Sequence, residues 1–169
     1  MIARQPVAAI ALSLLALQAD AQPVPTAPYV GEFSACLQSR ASEQCRGRAA
    51  QACMDREEGG HTTIGMSECL AMEGQLWSIE IDRELLRATQ TLRAQDAENR
   101  DAFGEAFAGA AGALAASQAT WAAWADAECG LVYAEAGAGS IRTIAAGHCT
   151  LDLAVERLQR LRQIGTEAP

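Results

Sequence analysis

The sequence contains no lysine and only two histidines, His61 and His148. All 13 basic residues are therefore arginines, and 21 acidic residues give the chain a net charge of −8. Such a chain repels the phosphates of nucleic acids and of anionic lipids, so we expect neither as a partner. A basic partner would be attracted to it.

Catalytic and metal-binding motifs are also missing. There is no G-x-S-x-G nucleophile elbow, no P-loop and no G-x-G-x-x-G. The cysteines and histidines match neither C-x-x-C nor H-x(3–5)-H zinc spacing. Neighbouring acids such as Asp82 and Glu84 are typical of solvated helix faces. We therefore predict that the protein is not an enzyme and has no metal and no cofactor.

Long hydrophobic runs are absent except at the start of the chain. MIARQ carries a positive charge, PVAAIALSLLAL is apolar, and Ala19-Asp20-Ala21 is an Ala-x-Ala cleavage site. These features predict a secretory signal peptide over residues 1–21, too short to span a bilayer. No cysteine lies near the junction for lipid attachment. We expect a periplasmic or secreted protein that does not insert into the membrane after cleavage.

The mature chain shows no period-two alternation, which predicts an all-α fold. Residues 22–30 include three prolines and are expected to form an extended tether. We expect a helical domain over residues 31–164 and a tail over 165–169. The domain is predicted as a disulfide-stapled bundle of two short helices and three longer ones, over about 65–95, 102–135 and from 141 onward. The last two form an antiparallel hairpin.

Several residues are expected to begin helices or to face the core. Thr62 or Thr63 is a candidate N-cap for the first long helix, and Ser140 for the last. Residues at three- and four-residue steps predict the buried faces. They are Cys69, Glu73, Trp77, Ile81, Leu85, Ala88 and Leu92, then Phe103, Phe107, Ala110, Leu114, Trp121, Ala125 and Val132, then Ile141, Ile144, Leu151, Val155, Leu158 and Leu161.

Six cysteines in an exported chain predict three disulfides, for which 15 pairings are possible. If Cys45 and Cys53 share a helix, they lie about 12 Å apart and cannot pair. The set that joins sequential segments is Cys36–Cys45, Cys53–Cys69 and Cys129–Cys149. The main competitor is Cys36–Cys69, with Cys53 paired elsewhere.

Glu73 is a carboxylate on the predicted buried face of the first long helix. A buried carboxylate needs a partner, and Arg157, Gln118 and the indole N–H of Trp121 are the candidates. We interpret Glu73 as a polar group that holds three helices in register, without a catalytic role.

Three spaced groups of residues resemble the lysozyme inhibitor LprI-like N-terminal domain family over roughly Cys36 to Leu161. They are C-x-x-x-E-x-x-x-W (Cys69, Glu73, Trp77), Q-x-x-W-x-x-W-x-D-x-E-C (Gln118, Trp121, Trp124, Asp126, Glu128, Cys129), and Gly139-Ser140 with Cys149 and Arg157. By this resemblance, Glu73, Trp77, Gln118, Trp121, Trp124, Asp126 and Arg157 are framework residues. The chain departs from the usual family pattern at Ser78, Asp82, Leu85, Ala125 and Ala154.

The resemblance implies an exported protein that binds and blocks a basic c-type lysozyme through an acidic surface. The loops 57–65 and 135–140 are the candidate contact segments, with Glu57, Glu58 or His61 as inserted groups. The alternative is a non-inhibitory periplasmic module that binds another envelope protein, a peptide or an anionic ligand.

Overall fold

The structure, a computed structural model, describes residues 27–166, and this part of the chain contains helices and no strand. The helices are α1 (Ala27–Ser39), α2 (Ser42–Cys45), α3 (Arg48–Arg56), α4 (Thr63–Phe103), α5 (Ala110–Glu135) and α6 (Ile141–Gln163), with a 3-10 turn at Glu105–Phe107. The predicted all-α class is confirmed, and α4, α5 and α6 are the three longer helices. Three shorter helices precede them where two were predicted, because Ser42–Cys45 forms the additional one-turn α2. The predicted signal peptide lies outside the described residues.

The three long helices form a bundle in which α6 runs alongside α4 in the same direction. Near the start of α4, a Cβ on Gly147 of α6 would be 3.0 Å from the Cβ of Leu70. Further along α4, Arg87 donates to the carbonyls of Leu161 and Ile164, at the end of α6, at 3.0 and 3.1 Å. α5 runs antiparallel to both, so α5 and α6 form the expected hairpin.

The short helices cover the first half of α4. The structure contains the sequential disulfides Cys36–Cys45, Cys53–Cys69 and Cys129–Cys149, which join α1 to α2, α3 to α4 and α5 to α6. The ring of Phe33 meets Trp77 edge to face, with centroids 4.8 Å apart. The first two disulfides and the contact between Phe33 and Trp77 fix α1–α3 on the bundle.

The core lies where α3, α4 and α6 meet. Trp77 is fully buried, and aliphatic residues from α4 and α6 surround it. The largest buried aliphatic side chains are Leu70, Leu151, Leu158 and Leu161. No helix in the described part of the chain is both long and apolar enough to cross a membrane.

The start of the helical domain differs from the expected one. α1 begins at Ala27, inside the segment predicted as a tether, and Tyr29 is buried. Proline is tolerated in the first turn of a helix, where its missing N–H has no intrahelical partner. Pro28 therefore does not prevent the helix from starting there.

The α4–α5 junction also differs. α4 continues through the polar stretch AQDAENRD to Phe103, whereas α5 begins only at Ala110. Gly104 and Gly109 both have positive φ, and the turn between them leaves Phe103 and Phe107 exposed, which corrects their predicted burial. Ile141 is likewise exposed.

The starts of the three long helices differ in how their backbone N–H groups are capped. Thr62 accepts a hydrogen bond from the Gly65 N–H at 3.1 Å, as expected for an N-cap. Ser140 occupies the N-cap position of α6, but its side chain makes no capping hydrogen bond. α5 is capped from α4, because the Asp96 carboxylate accepts from the N–H groups of residues 109, 110 and 111. These bonds lower the pKa of Asp96, the one from Gly109 most.

Candidate partner-binding loop

The segment between α3 and α4, residues 57–62, is a tight double turn that we call the α3–α4 loop. Its first turn closes with the Gly60 N–H donating to the Glu57 carbonyl at 3.0 Å. Its second closes with the Thr62 N–H donating to the Gly59 carbonyl at 2.8 Å. The loop therefore has internal backbone hydrogen bonds and a defined shape.

Glycines and a disulfide hold the α3–α4 loop close to its flanking helices. Gly59 adopts φ of 74°, which favours glycine. A Cβ on Gly60 would lie 2.3 Å from the Met54 carbonyl oxygen, and one on Gly65 would lie 2.2 Å from the Gly59 carbonyl oxygen. The Cys53–Cys69 disulfide joins the two helices on either side. The loop is thus preorganised, which lowers the entropy lost when a partner binds.

The three candidate inserted groups have different surroundings. Glu57 accepts a hydrogen bond from the Tyr29 hydroxyl at 2.6 Å, and this bond is the main reason that the pKa of Tyr29 is raised. His61 Nε2 lies 3.1 Å from Asp55 Oδ1. Glu58 is exposed and makes no hydrogen bond or ion pair with any described residue. Glu58 is therefore the carboxylate most available to a partner.

The second candidate segment, residues 135–140, lies at the same end of the bundle. α4 and α6 run in the same direction with their starts side by side, as the lining of one cleft by Ser67 and Thr143 shows. The loops that precede these helices therefore share one end of the molecule. Within the second loop, Gly137 has φ of 68°, and Glu135 before it is exposed.

Glu73 is buried as expected, but none of its predicted partners contacts it. Its Oε1 accepts from the Gly47 N–H at 2.7 Å and from Trp77 Nε1 at 2.9 Å, and its Oε2 accepts from the Ala50 N–H at 2.7 Å. Gly47 is the N-cap residue of α3. The expected partnership with Arg157, Gln118 or Trp121 is thus wrong, because the start of α3 covers this part of α4. The carboxylate supplies acceptors to a helix start that has no side-chain cap of its own.

The expected partners of Glu73 form a separate cluster. Arg157 Nε donates to Gln118 Oε1 at 2.7 Å, and the guanidinium carbon lies 5.6 Å from the centroid of the Trp121 ring. Trp124 and Asp126 are exposed, and Asp126 has no partner among the described residues. A framework role for these two therefore has no hydrogen bond or ion pair behind it among the described residues and stays a prediction.

Asp96 and Arg87 are the structural residues that sequence reasoning missed. Each satisfies a helix end on another element, Asp96 at the start of α5 and Arg87 at the end of α6. The only sequence signal for Asp96 was the absence of a capping side chain before α5. For metals, the described residues contain no group of three or more His, Cys, Asp or Glu placed to hold an ion.

The fold and these sites define a small, all-α domain with three disulfides and with the acidic α3–α4 loop at one end. A sequence model described as Lysozyme inhibitor LprI matches residues 53–161, which is more than half of the chain. The protein belongs to the LprI lysozyme inhibitor family. The comparisons with curated proteins and with solved structures found no match.

Four of the positions that depart from the usual family pattern lie together. Ser78, Asp82, Ala125 and Ala154 all line one groove of about 510 Å³ between α4, α5 and α6. Asp126 lies on the same groove. Its walls are largely small and apolar, and it contains no arginine. These departures are therefore concentrated at one place and leave the α3–α4 loop unaffected.

Proposed function

We propose that the mature chain is exported to the periplasm or beyond and inhibits a basic c-type lysozyme by binding it with the α3–α4 loop. The observation that carries the proposal is the family match over residues 53–161, because it includes α4 and the disulfide that brackets the loop. The loop itself supports it by its rigidity and charge. An inhibitor that blocks a cleft needs a projecting group that is already in its bound shape.

Charge favours the same partner. The chain carries −8 overall, and Asp55, Glu57 and Glu58 lie within four residues of one another at an exposed end. Opposite charges on two proteins increase the association rate and orient the encounter. A basic enzyme would therefore approach this end of the bundle. Glu58 is the group that we place at the centre of the contact.

The experiment is a turbidity assay of bacterial cell-wall lysis by lysozyme in the presence of the purified mature chain. The wild type is compared with Glu58→Arg and with Glu98→Arg, which makes the same change at an exposed position on α4. Glu98 lies about 50 Å along α4 from its first turn, at 1.5 Å per residue, and so reports general charge effects. We expect inhibition to weaken about tenfold in Glu58→Arg, as for the loss of one close charge pair at an interface, and to persist in Glu98→Arg.

Two outcomes would contradict the proposal in different ways. Equal loss in both variants would show that charge acts at long range and that the loop is not the contact. Unchanged lysis with wild-type protein in large molar excess would remove the inhibitory function itself and favour a non-inhibitory envelope module.

A further inference from the structure

Arg157, in the second half of α6, is a buried cation whose hydrogen-bonding capacity is largely unused. The residue is 7% exposed. Its Nε donates to Gln118 Oε1 at 2.7 Å, its Nη1 donates to Ser117 Oγ at 3.4 Å, and its Nη2 is buried without a hydrogen-bond partner. A guanidinium has five N–H donors. Three of the five are therefore free.

Among residues 27–166, no carboxylate pairs with this buried charge. Gln118 and Ser117 are neutral, and the Trp121 ring supplies only a cation–π contact. Burial, and after it the positive charge of Arg160, lowers the pKa of Arg157. A buried charge is costly unless it is paired and hydrogen-bonded. An anion bound next to Arg157 would supply both.

A groove of about 410 Å³ opens to the surface beside Arg157, which is one of its lining residues. Arg157 and Arg160 line it, together with the polar side chains of Ser117 and Gln163. Arg160 is exposed and makes no ion pair within residues 27–166. The remaining walls are mostly apolar and include Leu92, Leu114 and Ile164.

The positive character of this groove comes from the two arginines and not from the neighbouring helix start. The N–H groups of Gly109, Ala110 and Ala111 at the start of α5 already donate to Asp96. Neither arginine has an acidic partner in the part of the chain that the structure describes, so this groove is a positive site on a chain with a net charge of −8.

We propose that this groove binds a small organic carboxylate. The carboxylate oxygens accept hydrogen bonds from Arg157 and Arg160, and a short apolar portion lies against Leu92, Leu114 and Ile164. Arginine is suited to this role because its planar donors match a carboxylate. A free carboxylic acid and the C-terminal carboxylate of a peptide share this chemistry.

This site is independent of the proposed lysozyme contact. Leu92 lies about 40 Å along α4 from the helix start next to the α3–α4 loop, at 1.5 Å per residue. If the carboxylate site is disproved, the proposed lysozyme contact still stands, and the reverse is also true.

Titration of the ¹⁵N-labelled full mature chain, followed by NMR at the arginine Nε–H signals, tests the site. The probes are hexanoate, hexylammonium, and an acetylated tri-alanine peptide with a free or an amidated C terminus. We expect a saturable shift of the Arg157 signal with hexanoate and none with hexylammonium. A shift with the free-acid peptide, but not with its amide, would add peptide C termini as a source. Absence of a saturable shift with any carboxylate overturns the proposal.

Matched variants distinguish a specific carboxylate site from general attraction between the carboxylate and the arginines of the chain. Arg160→Gln should weaken hexanoate binding about tenfold, as expected for the loss of one charge-assisted hydrogen bond. Arg40→Gln removes the same charge from an exposed position between α1 and α2 and should leave binding unchanged. Equal weakening in both variants would overturn the site. Arg157 stays in place in both variants because it joins α6 to α5.

Discussion

Replacing Glu73 with glutamine removes one charge from the core with almost no change in side-chain shape. The carboxylate accepts three hydrogen bonds, two from the start of α3 and one from Trp77. A glutamine has one acceptor oxygen, so its NH₂ group must face either the Ala50 N–H or the pair formed by Gly47 and Trp77. Either orientation places donor against donor in a fully buried position.

The size of the effect follows from this geometry. Hydrogen bonds to a charged group contribute about 1.5–3 kcal/mol each, and breaking a buried charged arrangement costs about 3–5 kcal/mol. Glutamine relieves the desolvation of the charge, which offsets part of the loss. We therefore expect Glu73→Gln to lower the free energy of unfolding by about 3 kcal/mol.

Urea unfolding of the oxidised chain, followed by far-ultraviolet circular dichroism, measures this difference. Glu98→Gln makes the same chemical change at an exposed position of α4 and should stay within about 0.5 kcal/mol of the wild type. The reasoning is refuted if Glu73→Gln also stays within that range, because the start of α3 would then not depend on the carboxylate.

Three further perturbations test other parts of the structure. Replacing Cys129 and Cys149 together with alanine opens a loop with a sequence separation of 20 and should cost about 3 kcal/mol, measured by thermal unfolding; an unchanged midpoint would contradict a stapled hairpin. Asp96 has a folded pKa below its unfolded value, so its stabilisation is complete above the unfolded pKa of about 3.9 and is lost as pH falls through the folded value. The midpoint difference between the wild type and Asp96→Asn should therefore shrink as the solution is acidified, and a constant difference would contradict the cap. Gly60→Ala places a Cβ against the Met54 carbonyl and should destabilise the chain by more than about 1 kcal/mol in urea unfolding, with weaker lysozyme inhibition; wild-type stability would show that the loop is not tightly packed.

The helices and their buried faces could be predicted because they depend on local periodicity. Trp77, Ile81 and Leu158 recur at helical spacing, and all three are buried. The sequential cysteine pairs follow from the same logic, since short connections place consecutive helices side by side. The α3–α4 loop lies within the candidate segment 57–65, where Gly59 and Gly60 interrupt the helical pattern.

The partners of buried polar groups could not be predicted in this way. Periodicity shows which face of α4 is buried, but not which element lies on that face. Glu73 of α4 meets the start of α3, whereas Arg157 of α6 meets α5. Both arrangements are set by long-range packing of helices.

The α4–α5 junction was missed for a different reason. The polar stretch before residue 102 resembles a helix end, yet the backbone continues as helix to Phe103. What ends α4 and delays α5 is the backbone at Gly104 and Gly109, together with Asp96, which reaches across to the start of α5. Phe103 and Phe107 fit the apolar stripe only if the helix is continuous between them.

The central claim is that the mature chain inhibits lysozyme, and a titration of residual lysozyme activity tests it most directly. A fixed concentration of c-type lysozyme is mixed with increasing amounts of oxidised mature protein, and the initial rate of cell-wall lysis is measured at low and at high salt. We predict a saturable loss of activity that requires more protein at high salt, because salt screens the attraction between an acidic loop and a basic enzyme. An unchanged initial rate at large molar excess of the mature protein at low salt would contradict the claim.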